Sequence, residues 1–213
     1  MRIIVNNKNL LITIAVALIC LILYSVFPTQ NIFQQIVSTM AFLLVIPVLY
    51  IKIILKGSLK KFGLQTGDRQ RGILWMGIML LGSLLTFYIL FHYTNLPQHY
   101  HPPRLIAERF VFFISYELLL VGLFAALYEF FFRGFIMLRL SRAIGYWSIA
   151  VQFAVFLTFF LLVGGLDWST TLYVIVSPFA GIVAYQSRSI FYSFGTSLFF
   201  IIIADALVIG LAK

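Results

Sequence analysis

The chain has little charge and few of the residue types on which most catalytic and metal sites depend. Only 10% of its 213 residues are charged, and it holds 6 acidic residues, 3 histidines and 1 cysteine. Soluble domains carry roughly 25% charged residues, so composition excludes a soluble globular domain. The single cysteine, Cys20, excludes an intrachain disulfide. Nothing alternates with period two, which excludes a β-barrel.

Apolar residues are what the sequence has in abundance. They make up 62% of the chain, 23 of them are Phe, and the mean hydropathy is +1.06. Segments of bilayer length predict an all-α, polytopic membrane helix bundle with about seven transmembrane helices in a single domain, 1–213. The segments are 9–27, 32–55, 73–91, 110–132 (apolar to 140), 146–166, 170–185 and 190–212. The first is long and no A-x-A-like site follows it, so we expect it to stay uncleaved.

The distribution of Lys and Arg predicts the orientation. With the N-terminus in the cytoplasm, every Lys and Arg except Arg104, Arg109 and Lys213 lies on the inner side. The simple topology and the expected absence of a cleavable leader suit a prokaryotic inner membrane. The basic segment KGSLKKFGLQTGDRQR, residues 56–71, lies beside the bilayer, so anionic lipid headgroups explain its charge. Membrane lipids are therefore the expected partners, and nucleic acid is not, because no interleaved aromatic pattern marks a single-strand platform.

One apolar stretch, YEFFFRGF at 128–135, contains both an acid and a base. Glu129 and Arg133 are spaced i, i+4, which places them on one face of a helix. A lone charge in the middle of a bilayer costs about 3 kcal/mol, and pairing offsets part of that cost. The spacing alone is compatible with a simple salt bridge near the end of a helix.

The surrounding sequence resembles a known family of membrane proteins. YEFFFRGFIMLRL resembles the first motif, EExxxR, of the CPBP proteins, which include type II CAAX prenyl endopeptidases and bacteriocin-processing (Abi) proteins. GYWSIAVQFAVFLTFF resembles the stretch with their second motif, FxxxH, and SPFAGIVAYQSRSIFYSFGTSLFFIII the stretch with their third, HxxxN. The similarity covers residues 50–205. It predicts a CPBP-like core in 105–205, preceded by N-terminal spans and connectors in 1–104.

The resemblance implies a glutamate-dependent intramembrane protease fold, in which a first-motif Glu activates water and His residues of later helices assist it. In this chain Glu129 and Arg133 remain, and Gly134 is expected to allow close approach of an adjacent helix. Tyr128 stands where the base is usually assigned. Phe156 matches the aromatic of the second motif, but Phe160 takes the place of its His.

The third motif has also lost its imidazole. One alignment places Ser197 at the His and Ile201 at the Asn, and a shift by four places Ile201 at the His and Asp205 at the acidic position. Loss of the His residues and of the usual base typically costs several powers of ten in rate. We therefore expect a pseudo-protease that binds or stabilises a hydrophobic peptide or a membrane-protein partner. The alternative is an active endopeptidase with Glu129 as base, assisted by Tyr128, Ser197 or Asp205, so the sequence leaves enzymatic activity open.

Two further acids lie inside predicted spans. Glu117 and Asp205 are placed at similar depth, and such a pair in a carrier shares a proton or binds a cation. A small carrier is thus a third alternative. The preferred interpretation is that each acid is protonated and bonded to a neighbouring hydroxyl, for example that of Tyr116 or Thr158, because nothing in the sequence places the two helices side by side.

All three histidines fall in HYTNLPQHYHPPR, residues 92–104. His99 and His101 have loose spacing for a metal site, and no cysteine is close to them or to His92. A polar interfacial loop explains the segment, so we expect no metal and no cofactor.

Overall fold

The computed structural model describes residues 7–94, 109–165 and 167–211. In these ranges the chain is all-helical, with seven principal helices. They are α1 (Asn7–Val26), α2 (Ile32–Ile54), α3 (Arg69–Tyr93), α4 (Phe110–Ile144), α5 (Trp147–Val163), α6 (Trp168–Ser187) and α7 (Ile190–Leu211). A short 3₁₀ turn, Leu59–Phe62, lies in the linker between α2 and α3.

Five of these helices, α1 to α4 and α7, are long and apolar enough to cross a membrane, and α5 is a shorter apolar helix of 17 residues. Many large apolar side chains on their surfaces are exposed, among them Leu81, Leu119 and Leu162. Such surfaces need lipid as their solvent. The chain is therefore an integral membrane protein built as a helical bundle, and the prediction of α-helical architecture is confirmed.

Local sequence explains where several helices begin and end. The side chains of Asn31, Asp68 and Asp167 accept hydrogen bonds from backbone N–H groups in the first turns of α2, α3 and α6, which satisfies donors that the helix cannot pair. Gly145, at φ 58°, ends α4. The fourth predicted span was too short, because α4 continues without a break to Ile144.

Helix α4 is the centre of the bundle. Residues 127–138 are buried without interruption, and this stretch contacts α1, α2, α5, α6, α7 and the 3₁₀ turn. Helix α3 packs outside it, against α6 and α7. A charged pair on α4 is therefore surrounded by protein rather than by lipid.

Two segments of α4 are π-helical, Glu117–Val121 and Glu129–Met137, and each begins at a buried glutamate. The wider turn of a π-helix re-aims the side chains of a helix and is frequent at functional sites. Nothing in the residue pattern predicted these segments. They single out Glu117 and Glu129 as the two positions where α4 departs from regular geometry.

Candidate functional site

The core of the site is the pair predicted from the sequence. An Nη1 atom of Arg133 lies 3.1 Å from Oε1 of Glu129, and the two side chains are 2% and 1% exposed. The i, i+4 spacing therefore places both residues on one face, as expected. At this degree of burial neither group is solvated by water, so each depends on the other and on nearby polar groups.

Helix α7 supplies two hydroxyl groups to the carboxylate. Ser197 Oγ donates to Oε1 of Glu129 at 2.7 Å, and Ser193 Oγ donates to Oε2 at 2.6 Å. Both serines are buried. Because the two serines are four residues apart, they lie on one face of α7. Both therefore donate to the Glu129 carboxylate from α7, whereas Arg133 approaches it from α4. Each oxygen of Glu129 therefore has at least one protein donor.

The guanidinium group of Arg133 reaches the other side of the bundle. Its Nη2 donates to the backbone carbonyl of Ser177 on α6 at 3.3 Å, and its Cζ lies 5.3 Å from the ring centre of Phe156 on α5. Gln152 of α5 donates to Oγ of Ser177 at 3.1 Å. One ion pair thus connects four helices, α4, α5, α6 and α7.

Two polar atoms beside this network remain without a hydrogen bond within the described residues. They are Nε of Arg133, a donor, and Oε1 of Gln152, an acceptor. Both side chains bond to Ser177 through their other atoms. The network is therefore satisfied around the carboxylate and less complete around the guanidinium group.

Aromatic rings occupy the positions at which the resemblance would place a base and an imidazole. The rings of Tyr128 and Phe160 lie 5.4 Å apart in an edge-to-face arrangement, and Tyr128 also meets Phe156 at 5.9 Å and Tyr173 at 5.3 Å. Such contacts contribute about 0.5–1.5 kcal/mol each beyond apolar burial. This side of the pair is packed with rings, and Tyr128 and Phe160 are 5% exposed each.

Gly134 makes the close approach predicted for it, but its nearest contact comes from a linker. A Cβ atom at this position would lie 2.5 Å from the carbonyl oxygen of Phe62, in the 3₁₀ turn of the α2–α3 linker. The expected approach of an adjacent helix is present as well, because Ile190 of α7 would lie 3.6 Å from that Cβ, but the closest group belongs to the linker. The linker backbone rests on α4 one residue after Arg133, which closes the bundle over the pair.

An apolar cavity of about 380 Å³ lies between α2, α4 and α7 and includes Glu129 in its wall. Its remaining lining is Leu44, Leu64, Leu123, Ala126, Leu127, Phe130, Ile190, Phe191 and Phe194. Ala126 and Phe191 are exposed, so the cavity opens at the surface of the bundle. The carboxylate itself is covered, because Glu129 is only 1% exposed.

The second pair of acids forms a site of its own. Glu117 and Asp205 are 1% and 2% exposed, and their carboxyl groups lie close enough together to share a hydrogen bond. The structure places the two acid-bearing helices side by side, which nothing in the sequence indicated, while a bond from either acid to a neighbouring hydroxyl stays a prediction. A hydrogen bond between two carboxyl groups requires a proton on one of them. Oε2 of Glu117 has no hydrogen-bond partner within the described residues.

The remaining predicted residues lie away from the Glu129–Arg133 pair or outside the described part of the chain. Ile201 is buried in the core at 2% exposure, and Asp205 belongs with Glu117 rather than with Glu129. His92 lies at the exposed end of α3, where its Nδ1 is 3.0 Å from the carbonyl oxygen of Tyr88. His99 and His101 lie outside the described residues. Within the described ranges there is no group of three or more potential metal ligands.

Sequence reasoning missed Ser193, Ser177 and Gln152. The available signal was periodicity of polar groups, since Ser193 and Ser197 are spaced i, i+4 in an otherwise apolar stretch of α7. Gln152 is the only amide in α5. A buried amide in a membrane helix is costly unless it is bonded, so it marks a helix–helix contact.

Comparison with known proteins gives no match to this chain among family models, curated proteins or solved structures.

Proposed function

We propose that this chain is a CPBP-type membrane protein that has lost its hydrolytic chemistry and acts by binding or stabilising a hydrophobic peptide or a membrane-protein partner. The observation that carries this proposal is the state of Glu129. Both of its oxygens are bound by protein donors, and the residue is 1% exposed. A general base must reach a water molecule, and here three of the roughly four acceptor positions of the carboxylate are taken by protein donors in a buried site. Glu129 serves instead as the centre of an interhelical network.

The absence of an imidazole near the pair supports the same conclusion. The only histidine of the described residues, His92, lies at the far end of α3. A carboxylate that activates water in a protease of this type needs further groups to bind the developing oxyanion. Rings and hydroxyls, those of Phe160 and Ser197 among them, stand where such groups are expected.

The convergence of the three resembling stretches supports the family proposal. Positions that the resemblance aligns with its three motifs come together in space: Glu129 with Ser197 at 2.7 Å, and Tyr128 with Phe160 at 5.4 Å. These residues come from three different helices, α4, α5 and α7, and Glu129 and Ser197 are 68 positions apart in the sequence. We further propose a seven-span topology in a prokaryotic inner membrane with the N-terminus in the cytoplasm.

A cleavage assay tests the loss of chemistry. Purified protein in detergent is incubated with a prenylated peptide and with an unmodified hydrophobic peptide, and the products are followed by mass spectrometry. We expect no cleavage, and Glu129→Gln should change only thermal stability. Cleavage by the unmodified protein that disappears in a folded Glu129→Gln variant would overturn the proposal in favour of an active endopeptidase.

A binding assay tests the partner role through the 380 Å³ cavity. Ala126→Trp fills its mouth, and Ala206→Trp places the same bulk on an exposed position of α7 outside it. Binding of a fluorescent hydrophobic peptide is followed by anisotropy. Ala126→Trp should weaken binding at least about fivefold, because one filled pocket is worth about 1 kcal/mol or more. Equal affinity of the two variants would contradict a peptide site here.

The hydrogen-bonded acids favour a second candidate, a small proton-coupled carrier. Ionisable residues inside membrane segments commonly mark proton pathways, and Glu117 with Asp205 forms such a pair. In proteoliposomes with a pH-sensitive dye, the double variant Glu117→Gln/Asp205→Asn should abolish any proton-coupled uptake. Unchanged uptake would remove the carrier hypothesis.

A further inference from the structure

One end of the bundle holds a pocket whose polar side chains are cationic or neutral. We call it the basic pocket: a cavity of about 330 Å³ lined by Lys60, Lys61, Gln65, Leu138, Arg142 and Arg188. The residues come from three places, namely the α2–α3 linker, the last turn of α4 and the junction between α6 and α7. Four cations from separate parts of the chain therefore face one cavity.

The cations of the basic pocket have no acidic partner. Within the described residues none of the four forms an ion pair, and Asp68, the only acid of the α2–α3 linker, pairs with Arg71 at 3.2 Å. Arg142 also experiences the positive charges of Arg139 and Arg188. Like charges held close together repel, so an anion in the cavity would stabilise the arrangement.

Hydrogen bonds fix the two arginines and the glutamine of the pocket wall, whereas Lys60 and Lys61 are exposed. Arg188 Nη1 donates to Ser141 Oγ at 2.7 Å, and Arg142 Nη2 donates to the carbonyl of Lys61 at 3.4 Å. Gln65 Nε2 donates to the carbonyl of Arg188 at 3.2 Å. Each contact joins two of the three chain segments, so the two arginines are held in place before a ligand arrives.

The backbone of Arg188 is a second, independent indication. This residue has φ 55° and lies in the left-handed conformation at the end of α6, where glycine is the favoured residue. A non-glycine residue there is strained by roughly 1 kcal/mol. The guanidinium group lies 4.7 Å from the ring centre of Tyr185, which orients it at the pocket edge. A strained position with a fixed cation points to a use for its side chain.

We propose that the basic pocket binds a phosphate group. Arginine presents parallel N–H donors that match phosphate oxygens, and lysine adds point charges, so this set of residues fits a phosphate group. The pocket lies beside the end of α4, a helix long enough to span a membrane, and the ends of such helices lie near lipid headgroups. A phospholipid headgroup and a free phosphate share this chemistry.

The test compares two substitutions that are matched in charge and in backbone. Arg188→Gly removes a pocket cation and relieves left-handed strain. Lys56→Gly also removes one positive charge and relieves left-handed strain, at φ 47°, but Lys56 is an exposed residue outside the pocket. Both proteins are purified as full chains in a neutral detergent at 150 mM salt, where screening confines electrostatic effects to about 8 Å. Phosphatidylglycerol, phosphatidylcholine and inorganic phosphate are titrated separately, with binding measured by native mass spectrometry and calorimetry.

We expect Arg188→Gly to weaken binding of the preferred probe about tenfold and Lys56→Gly to change it less than twofold. Both variants should remain folded, because glycine suits the backbone of each position. Arg188→Gly also loses its hydrogen bond to Ser141, and relief of the left-handed strain offsets part of that loss. A second variant, Lys60→Gln/Lys61→Gln, should weaken binding without touching a side-chain hydrogen bond of the fold.

The probes distinguish the source of the phosphate. Preference for phosphatidylglycerol over the other two assigns the pocket to an anionic lipid, and binding of inorganic phosphate at equal or higher affinity assigns it to a soluble phosphate. Equal weakening by Arg188→Gly and Lys56→Gly would show only diffuse attraction and overturn the proposal, as would the absence of binding by either phosphate-bearing anion. These results do not depend on the proposed function of the Glu129 site.

Discussion

Helix α4 buries two glutamates, and the chain stabilises them in opposite ways. Glu129 keeps its negative charge beside Arg133 and receives hydrogen bonds from two serines of α7. Glu117 faces a second acid, Asp205, and the hydrogen bond between them needs a shared proton. Both glutamates begin a π-helical segment. A bundle of this kind can therefore bury an acid either as an ion pair or as a proton-bound pair.

The largest expected effect comes from breaking the ion pair. Arg133→Met leaves the carboxylate of Glu129 buried without its counter-charge, and such a loss typically costs about 3–5 kcal/mol. The double variant Glu129→Gln/Arg133→Met should lose less than the sum of the two single variants, because each single change strands a charge. Thermal and denaturant unfolding in detergent measure this double-mutant cycle. Additive losses would show that the two side chains do not interact.

A smaller effect is expected from the hydroxyl groups of α7. Ser197→Ala removes a donor to the carboxylate and should cost about 1–2 kcal/mol, near the upper end for interhelical hydrogen bonds in membrane proteins. Thr196→Ala is the matched control, since its hydroxyl donates only to the carbonyl of Tyr192 within α7. The same unfolding assay compares them. If both alanine variants lose equal stability, the bond from Ser197 contributes nothing specific.

The linker contact over the pair gives the third comparison. Gly134→Ala would place a Cβ atom 2.5 Å from the carbonyl oxygen of Phe62, and such overpacking typically costs about 1–3 kcal/mol. Gly77→Ala on α3 meets nothing within 4 Å and should stabilise that helix by up to about 1 kcal/mol. Unfolding midpoints should therefore move in opposite directions. A neutral Gly134→Ala would mean that the linker does not rest on α4.

The smallest effect is expected at the proton-bound pair. Glu117→Gln puts an amide where a carboxyl group stood, and an amide can donate to Asp205 without needing an added proton. The change in stability should stay below about 1 kcal/mol, because the amide replaces the donor of the pair and leaves the net charge of the site as it was. Unfolding midpoints at neutral pH measure it. A large loss would show that Glu117 is held as a carboxylate, which would remove the contrast with Glu129.

The sequence could predict features that depend on residues close together in the chain, and could not predict those that depend on residues far apart. Helix-forming segments and the shared face of Glu129 and Arg133 depend on neighbours within a few positions, so composition and spacing predicted them. Contacts between helices depend on how each helix is rotated about its axis. The helices are apolar on nearly all sides, so no polar stripe indicated which face of α7 meets α4, and the roles of Ser193 and Asp205 were not predictable.

The partner of Gly134 was unpredictable for a related reason. A glycine signals that another group comes close, but not which one, and here the group is the backbone of a linker far away in the sequence. The π-helical segments of α4 are also set by tertiary packing rather than by local preference. The sequence therefore predicted residues whose interactions are with near neighbours in the chain. Residues whose role arises from packing between helices became evident only in the structure.

The most direct measurement is the thermal unfolding of two matched variants of α4, Glu129→Gln and Glu117→Gln, in the same detergent. Each replaces a buried glutamate by its amide, and only the first leaves a buried guanidinium group without its counter-charge. We expect Glu129→Gln to lose about 3 kcal/mol or more and Glu117→Gln less than about 1 kcal/mol. Equal losses, or a larger loss for Glu117→Gln, would contradict the role of Glu129 as the anchor of the helical network.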